Sequence, residues 1–207
     1  MKKYIIPQIA SAVIMFFMTS CLQPAPVSEV FMERAQEHQK IAILPFSVVF
    51  DDDFKNNSRR KNDQDYWVEQ QRLAGLDLQK SLFIYAAEET RKGRIEKVIQ
   101  SFEVTNKLLA DAGVSFFEIA RADKGALSKI LGVDAVIFGS SEVNADPLQN
   151  FMMGRAGTEL TTQIYDGKTG NILWSKSLRQ QPTRGENPKT LADELARQTM
   201  RMLPYRR

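Results

Sequence analysis

Two short apolar runs constrain the fold of this chain more than any other feature. Ile41–Phe46 and Ala135–Phe138 are apolar at every position, without the polar and apolar alternation of a strand that has one face in water. Strands with this pattern are covered on both faces, as the central strands of a parallel or mixed sheet are. The sequence therefore predicts a sheet covered by helices.

The rest of the chain supplies those helices and the remaining strands. Cap residues mark three helix starts, namely Ser101, the S-x-x-E pair of Ser115 and Glu118, and Asn187 before Pro188. Hydrophobic spacing predicts helices over residues 66–91, 101–113 and 115–132 and from 187 onward, and strands over 95–99, 158–165 and 172–176. We predict an α/β fold, a small mixed β-sheet of about five strands with covering helices, in β-α-β-α-α-β-β-β-α order and one domain.

A charged segment, residues 51–65, separates the first predicted strand from the first long helix. It contains five acids and four bases and has almost nothing to bury, so we predict a long solvated loop. The ligand spacing and turn glycine of an EF-hand calcium loop are absent from it. Arg59, Arg60 and Lys61 form a possible docking site for an acidic partner surface, and a solvated insertion without function is the alternative.

The predicted strands 158–165 and 172–176 are joined by a turn that contains glycine. Asp166, Gly167 and Gly170 are the turn residues of the resulting β-hairpin, and Gly170 occupies a place that favours a positive φ. Gly167-Lys168-Thr169 is similar to the end of a phosphate-binding P-loop. That loop needs a glycine where this chain has Thr162, and a helix where this chain has a strand. The turn is therefore the better interpretation.

The N-terminus has the three parts of a secretory signal. Lys2 and Lys3 precede a short apolar run, residues 10–18, which is far shorter than the ~20 residues of a membrane-spanning helix. Small residues and the chain's one cysteine follow, in the order Met18-Thr19-Ser20-Cys21. This order resembles a bacterial lipobox, which implies cleavage between Ser20 and Cys21, acylation of the Cys21 thiol (palmitate and related chains) and attachment to a membrane.

An ordinary signal peptide with an incidental cysteine is the alternative to the lipobox. Leu22 stands where an aspartate would retain an enterobacterial lipoprotein in the inner membrane, so the resemblance implies the outer membrane, facing the periplasm. The expected domains are a lipoprotein signal peptide at 1–20, a lipid-bearing tether at 21–39 and the α/β domain at 40–207.

Composition excludes several kinds of function. The 28 basic residues are reduced by two when Lys2 and Lys3 leave with the signal, and they then nearly balance the 25 acidic ones, so no electrostatic footprint for nucleic acid is present. The one histidine, His38, lies in the expected tether, which removes histidine-based catalysis and a His/Cys zinc cluster from the expected core. We expect no cofactor, no metal and no enzyme activity, although a hydrolase built on two carboxylates stays open.

Three segments in order resemble one superfamily of bacterial envelope lipoproteins. They are residues 41–46 (IAILPF), 132–140 (GVDAVIFGS) and 165–175 (YDGKTGNILWS). They are similar to signatures of the CsgG-like curli-secretion lipoproteins and the LpoB-like activators of peptidoglycan synthases, whose fold is related to the N-terminal domain of TolB. The resemblance implies a non-enzymatic protein that binds envelope proteins, with a possible homo-oligomer.

Two departures distinguish this chain from those relatives. The 14 residues of Asn144–Gly157 are too short for a pair of membrane strands of ~9–11 residues each, which disfavours a curli-type pore. The expected tether is short for a synthase activator. Our leading hypothesis is a non-enzymatic assembly or regulatory partner in cell-envelope biogenesis. The alternative is an oligomeric accessory or component of a curli-type secretion system, and an enzyme of unknown class comes third.

Overall fold

The fold is taken from a computed structural model, which describes residues 29–56, 58–144, 157–181 and 188–206. Within these ranges the chain forms seven helices and six strands. The helices are α1 (Glu29–Glu37), α2 (Asp52–Asn56), α3 (Gln64–Arg91), α4 (Phe102–Asp111), α5 (Phe116–Ile119), α6 (Lys124–Leu131) and α7 (Pro188–Met202). The strands are β1 (Lys40–Ile43), β2 (Ser47–Phe50), β3 (Val98–Ile99), β4 (Ala135–Asn144), β5 (Gly157–Asp166) and β6 (Ile172–Gln180).

The strands form one mixed sheet, which confirms the predicted fold class. The strand order is β3-β1-β4-β5-β6, with β2 paired to β4 beyond β1. β1 runs parallel to β3 and β4, and β4, β5 and β6 are antiparallel neighbours. The sixth strand, β2, was not predicted, because its four residues follow β1 so closely that they continued the same apolar run.

Helices cover both faces of the sheet. Ile41, Ile43, Ala135 and Ile137 belong to a buried cluster that also contains residues of α3 and α7. Ala42, Leu44, Val136 and Phe138 belong to a second cluster with residues of α4, α5 and α6. Side chains of successive strand residues point to opposite faces, and here both faces are dry. The prediction that both apolar runs are covered is therefore confirmed.

The predicted helix starts at Ser101 and Ser115 and the predicted helix end at Gly132 are formed by the residues that the sequence indicated, and the predicted cap Asn187 lies outside the described residues. The hydroxyl of Ser101 accepts the Val104 N–H at 3.3 Å, and Ser115 and Glu118 form a reciprocal capping box. Gly132 ends α6 with φ +63°, a left-handed conformation that glycine adopts without a Cβ clash. The predicted helical stretch over 115–132 is two helices, since Asp123 opens α6 by accepting the Ala126 N–H at 2.7 Å.

The segment 51–65 is not the long solvated loop that its charge predicted. It contains α2 and the start of α3, and Phe54 stacks on Phe50 with ring centroids 5.2 Å apart. Trp67 packs against both rings and is 5% exposed, and its indole N–H donates to the Arg60 carbonyl at 3.0 Å. The prediction was wrong because Phe50 and Trp67, the residues that give Phe54 something to pack on, lie just outside the charged window.

Helix α1 lies inside the segment that we expected to be a tether. Its Phe31 is fully buried, with its ring centroid 5.2 Å from that of Tyr205 near the other end of the chain. Lys97 also donates to the Ala35 carbonyl at 2.8 Å. Residues 29–39 are therefore packed on the sheet in this structure. The sequence did not indicate this, because most residues of α1 are charged or polar and Phe31 is its one aromatic residue.

The turn between β5 and β6 lies against the start of α6. Gly170 has φ +73°, and its N–H donates to the Asp166 carbonyl at 2.8 Å. A Cβ at Gly170 would lie 2.8 Å from Oδ2 of Asp123, the residue that caps α6. Gly93, after α3, has a similar φ of +70° with open space around it.

Alanine substitutions at Gly93 and Gly170 distinguish the cost of a left-handed backbone from the cost of a steric clash. Gly93→Ala should lower the free energy of unfolding by about 1 kcal/mol, because only the left-handed backbone is penalised. Gly170→Ala should lower it by more, roughly 2–3 kcal/mol, because the new Cβ also displaces the cap of α6. Urea unfolding of both variants gives the comparison. An equal loss in the two would show that the contact with Asp123 has no energetic weight.

Candidate functional site

The predicted site residues fall into three groups in the structure. Ser20 and Cys21 lie outside the described residues. Asp166, Gly167 and Gly170 lie at the hairpin turn, as described above. Arg59, Arg60 and Lys61 lie on one turn ahead of α3, all of them exposed. The structure brings neither of the two described groups into contact with the other.

A buried polar cluster connects the hairpin turn to the only histidine. His38 is 2% exposed, its Nδ1 lies 2.6 Å from the Tyr205 hydroxyl, and its Nε2 lies 3.2 Å from Oδ1 of Asp166. Oδ2 of Asp166 accepts the backbone N–H of Thr169 at 3.0 Å and its hydroxyl at 2.7 Å. We call these residues, with Asp134, the polar clasp.

Asp134 completes the clasp next to the start of β1. One of its carboxylate oxygens accepts the backbone N–H groups of Gln39 and Lys40 at 2.8 and 2.9 Å. Its carbonyl accepts the N–H of Gly167 at 2.8 Å. A Cβ at Gly167 would lie 2.6 Å from that carbonyl oxygen, so glycine is required for the close approach. The clasp thus joins the end of α1, β1, the hairpin turn and the C-terminus.

The surroundings of the clasp shift three pKa values. Burial alone would raise the pKa of Asp166, but hydrogen bonds from Thr169 and His38 outweigh it, and this pKa is lowered. Burial also opposes the backbone hydrogen bonds to Asp134, whose pKa is likewise lowered. Burial, followed by the nearby charges of Asp166 and Asp134, raises the pKa of Tyr205. The carboxylates are therefore kept ionised and the tyrosine protonated.

This cluster was not predicted, and His38 was expected to lie in a tether. Its partners Asp166 and Tyr205 are 128 and 167 positions away, so no local motif indicates the contact. Both ring nitrogens have partners, and the ring is buried. The clasp is built to hold segments together, and in this structure it offers no atom to a substrate.

The predicted docking residues are less available than the sequence indicated. The Arg60 guanidinium lies over the Tyr66 ring, 4.8 Å from its centroid, and the Arg60 carbonyl accepts the Trp67 indole N–H. Arg60 is therefore part of the packing that supports the start of α3. Arg59 and Lys61 point their charges to solvent on either side of it.

Among the described residues, a groove of about 560 Å³ lies where α5 meets the sheet. Pro45, Phe116 and Phe138 are its main apolar lining residues, and Phe117 and Arg121 flank them. Phe117 is 48% exposed, which is unusual for a side chain of this size. Aromatic and arginine side chains are enriched at protein interfaces. We call this feature the α5 groove.

Packing beneath the groove fixes the position of α5. Phe116 lies against Gly75 of α3, where a Cβ would come within 2.6 Å of the ring. Lys124, 6% exposed, donates to the carbonyls of Ile119, Ala120 and Ala122 and lies 4.5 Å from the Phe138 ring centroid. Burial lowers the pKa of Lys124. These contacts stabilise the end of α5 and so position Phe117 and Arg121.

Two charged side chains, Glu118 and Arg121, lie beside the α5 groove, and they differ in whether they already have a partner. The Glu118 carboxylate accepts the backbone N–H and the hydroxyl of Ser115, both at 2.7 Å. The Arg121 side chain has no ion pair or hydrogen bond among the residues described. Arg121 is exposed as well, so its guanidinium is free to meet an acceptor from outside.

A second groove, of about 350 Å³, lies between α3 and α7. Leu73, Val143 and Ala192 are among its lining residues, and Leu73 is 43% exposed. Its charged groups are already paired, because Lys189 donates to Asp77 at 2.8 Å and Asp193 accepts the Tyr85 hydroxyl at 2.7 Å. The two grooves are thus both partly apolar, but they differ in whether a cation is left unpaired.

The described residues contain neither a candidate metal site nor a candidate membrane-spanning helix. No group of three or more His, Cys, Asp or Glu side chains in that part of the chain is placed to hold a metal ion. None of the helices described is both long enough and apolar enough to cross a bilayer.

Comparison with known proteins gave structural similarities alone. No protein-family model matches the sequence, and no curated protein matches it. The C-terminal domain of LpoB from Salmonella enterica is similar, with 12% identity, a TM-score of 0.39, and 70% of this chain and 84% of that one covered.

Two other solved structures are similar at the same level. Lipoprotein GNA1162 from Neisseria meningitidis has 13% identity and a TM-score of 0.44, over 79% of this chain and 95% of its own. The PelC dodecamer from Paraburkholderia phytofirmans has 12% identity and a TM-score of 0.41, over 80% and 89%. The proposal for function therefore rests on the residues of this chain.

The polar clasp should make stability depend on pH in the acid range. Because the pKa of Asp166 is lowered in the folded state, its contribution is complete above the unfolded value near 3.9 and is lost as pH falls through the lower folded value. Asp166→Asn should therefore lower the free energy of unfolding at pH 7 by about 1–3 kcal/mol. It should also make the loss of stability between pH 5 and pH 2 less steep.

Urea unfolding at a series of pH values measures both effects. Asp52→Asn is the matched control, because the Asp52 side chain is 93% exposed, and it should change stability at pH 7 by less than about 0.5 kcal/mol. If Asp166→Asn had the same acid profile as the parent, the clasp would not be a source of the pH dependence.

Proposed function

We propose that this chain is a lipoprotein, anchored by acylated Cys21 in the outer membrane and facing the periplasm, that binds other envelope proteins without transforming a substrate. Its role is that of an assembly or regulatory partner in cell-envelope biogenesis. The anchor is supported by the order of basic residues, short apolar run and Met18-Thr19-Ser20-Cys21. Two or three acyl chains make a durable tether, since each buried methylene adds ~0.8 kcal/mol of membrane affinity.

The observation that carries the binding role is the α5 groove. Its half-exposed Phe117 and unpaired Arg121 are side-chain types that dominate the energy of protein interfaces. The groove is also held in place by buried contacts, so a partner would meet a surface that is already formed.

The polar clasp supports a binding role over a catalytic one. It contains the only histidine of the chain, and a catalytic histidine has to reach its substrate within about 3 Å, directly or through one water. His38 is 2% exposed and both ring nitrogens are engaged. Its chemistry is used to hold the fold together.

The distance to the membrane is short in this proposal. Seven residues, 22–28, lie between Cys21 and the start of α1 at Glu29, and the eight Cα–Cα steps across them reach at most roughly 30 Å. The domain would then work on partners that come close to the membrane surface.

Replacement of Cys21 tests the anchor directly. Cys21→Ser should abolish labelling by a fatty-acid analogue and leave uncut precursor, because the thiol is the acceptor and the modified residue is what the lipoprotein peptidase recognises. The variant should no longer sediment with outer membranes. Ser20→Ala is the matched control, since it keeps the thiol and a small residue beside it, and it should be labelled as the parent is. Mature parent protein whose thiol reacts with maleimide and carries no fatty acid would contradict the anchor.

Crosslinking in intact cells tests the binding role. We expect mass spectrometry of crosslinked parent protein to identify defined envelope proteins. Turnover of envelope polymers by the purified protein, abolished by a point substitution, would instead make it an enzyme.

A further inference from the structure

We propose that the α5 groove binds one class of partner segment, in which an apolar side chain stands next to a carboxylate. This inference rests on the proposed function, because it specifies the partner of the same surface. The apolar side chain would lie against Phe116, Phe117 and Pro45, and the carboxylate would pair with the Arg121 guanidinium.

The apolar half of the inference follows from the lining of the groove. Ala120 and Ala122 extend the apolar surface formed by the phenylalanines and Pro45, so a side chain placed there would be surrounded mainly by carbon atoms. Phe117 is left 48% exposed in the unbound chain. Covering an apolar area of this kind is favourable, which gives an apolar anchor a reason to enter.

The charged half follows from the state of the two ionic groups beside the groove. Glu118 forms no ion pair with Arg121, and its Oε2 instead accepts the backbone N–H and the hydroxyl of Ser115 in the capping box at the start of α5. The hydrogen bonds on Glu118 also lower its pKa, and this keeps the carboxylate ionised and in place as the cap. An incoming carboxylate thus finds in Arg121 a cation with five N–H donors and no competing partner within the part of the chain that the structure describes.

The same criteria disfavour the other surfaces. The groove between α3 and α7 has Lys189 paired with Asp77, so an acidic partner would first have to break an existing ion pair. Arg59 and Lys61 are exposed, but the aromatic rings near them pack against one another inside the chain. Only at the α5 groove do the described residues place an exposed aromatic ring and an unpaired cation together.

Short peptides of defined charge test the inference. The probes are acetylated dipeptide amides with phenylalanine followed by glutamate, glutamine or lysine, titrated into the mature full chain in detergent and followed by NMR. We expect the glutamate peptide to bind best and to shift the signals of residues around Phe117. Arg121→Gln should weaken glutamate-peptide binding about two- to fivefold, the range of an exposed ion pair, and should leave the glutamine peptide unchanged.

A charge exchange supplies the stricter test. Arg121→Glu should reverse the order, so that the lysine peptide binds better than the glutamate peptide. Arg59→Glu makes the same change of charge at an exposed position outside the groove, and it should keep the parent order. Equal binding of the three peptides by the parent, shifts that map to another surface, or no binding at all would overturn the inference.

A photocrosslinking residue placed at position 117 examines the groove in cells, with position 73 in the other groove as the control. We expect position 117 to crosslink to an envelope protein through an acidic segment, and Arg121→Glu to abolish that product. Products made only with a second copy of this chain, or only with lipid, would overturn the inference.

These results are separable from the test of the proposed function. Normal lipid labelling with a partner captured only at position 73 would leave the proposed function intact and remove the groove from it. Loss of the lipid anchor with unchanged peptide selectivity would do the reverse.

Discussion

The pairing of β4 is the constraint on which the rest of the structure depends. This strand of ten residues pairs along its whole length with β5, and its other edge pairs first with β1 and then with β2. Its first residues, Ala135–Ile137, are completely buried, and both helical layers cover them as they cover the neighbouring β1. β1, β2 and β5 all pair with β4 directly. The register of β4 therefore sets the positions of these three strands and of the helices that pack on them.

The same pairing explains where the α5 groove lies. β1 and β2 both pair with β4 along the same edge, and Leu44-Pro45-Phe46 separates them. At these three residues the chain departs from regular strand pairing. Leu44 still donates to the Ile137 carbonyl at 2.9 Å, Pro45 has no N–H to give, and the Phe46 N–H donates to Gly75 of α3 at 3.3 Å. At Gly139 a Cβ would lie 1.9 Å from the Thr161 carbonyl oxygen. Pro45 therefore lies at the break between β1 and β2, and this buried residue lines the α5 groove.

The sequence could predict what is local and could not predict what joins distant segments. The two apolar runs, the Ser115–Glu118 capping box and the glycine ending α6 are visible within a few residues, and the structure has them. The polar clasp depends on Tyr205 and Asp166 meeting His38 after the sheet has formed, and no pattern near His38 records that. The prediction for residues 51–65 was wrong for a related reason. The composition of that segment does not reveal the aromatic residues beyond its ends, Phe50 and Trp67, on which Phe54 packs. The exposure of Phe117 could not be predicted from the sequence either. Phe116 and Phe117 are adjacent apolar residues on a short helix, and their pattern does not show which of them is left exposed. The position of Arg121 beside Phe117 likewise appears only in the structure.

The buried charges of the polar clasp and the exposed charge of Arg121 have different roles in this structure. Buried charges at the clasp require several hydrogen bonds each, because an unpaired buried carboxylate would be strongly destabilising, and the result is a rigid junction of four segments. Arg121 is exposed and has no side-chain partner in the described part of the chain, so it contributes little to folding and loses only part of its hydration when a partner arrives. An exposed cation of this kind adds modest affinity but discriminates well between acidic and basic partners, because like charges at the same place repel. Affinity would then come from the apolar surface around Phe117, and selectivity from the guanidinium beside it.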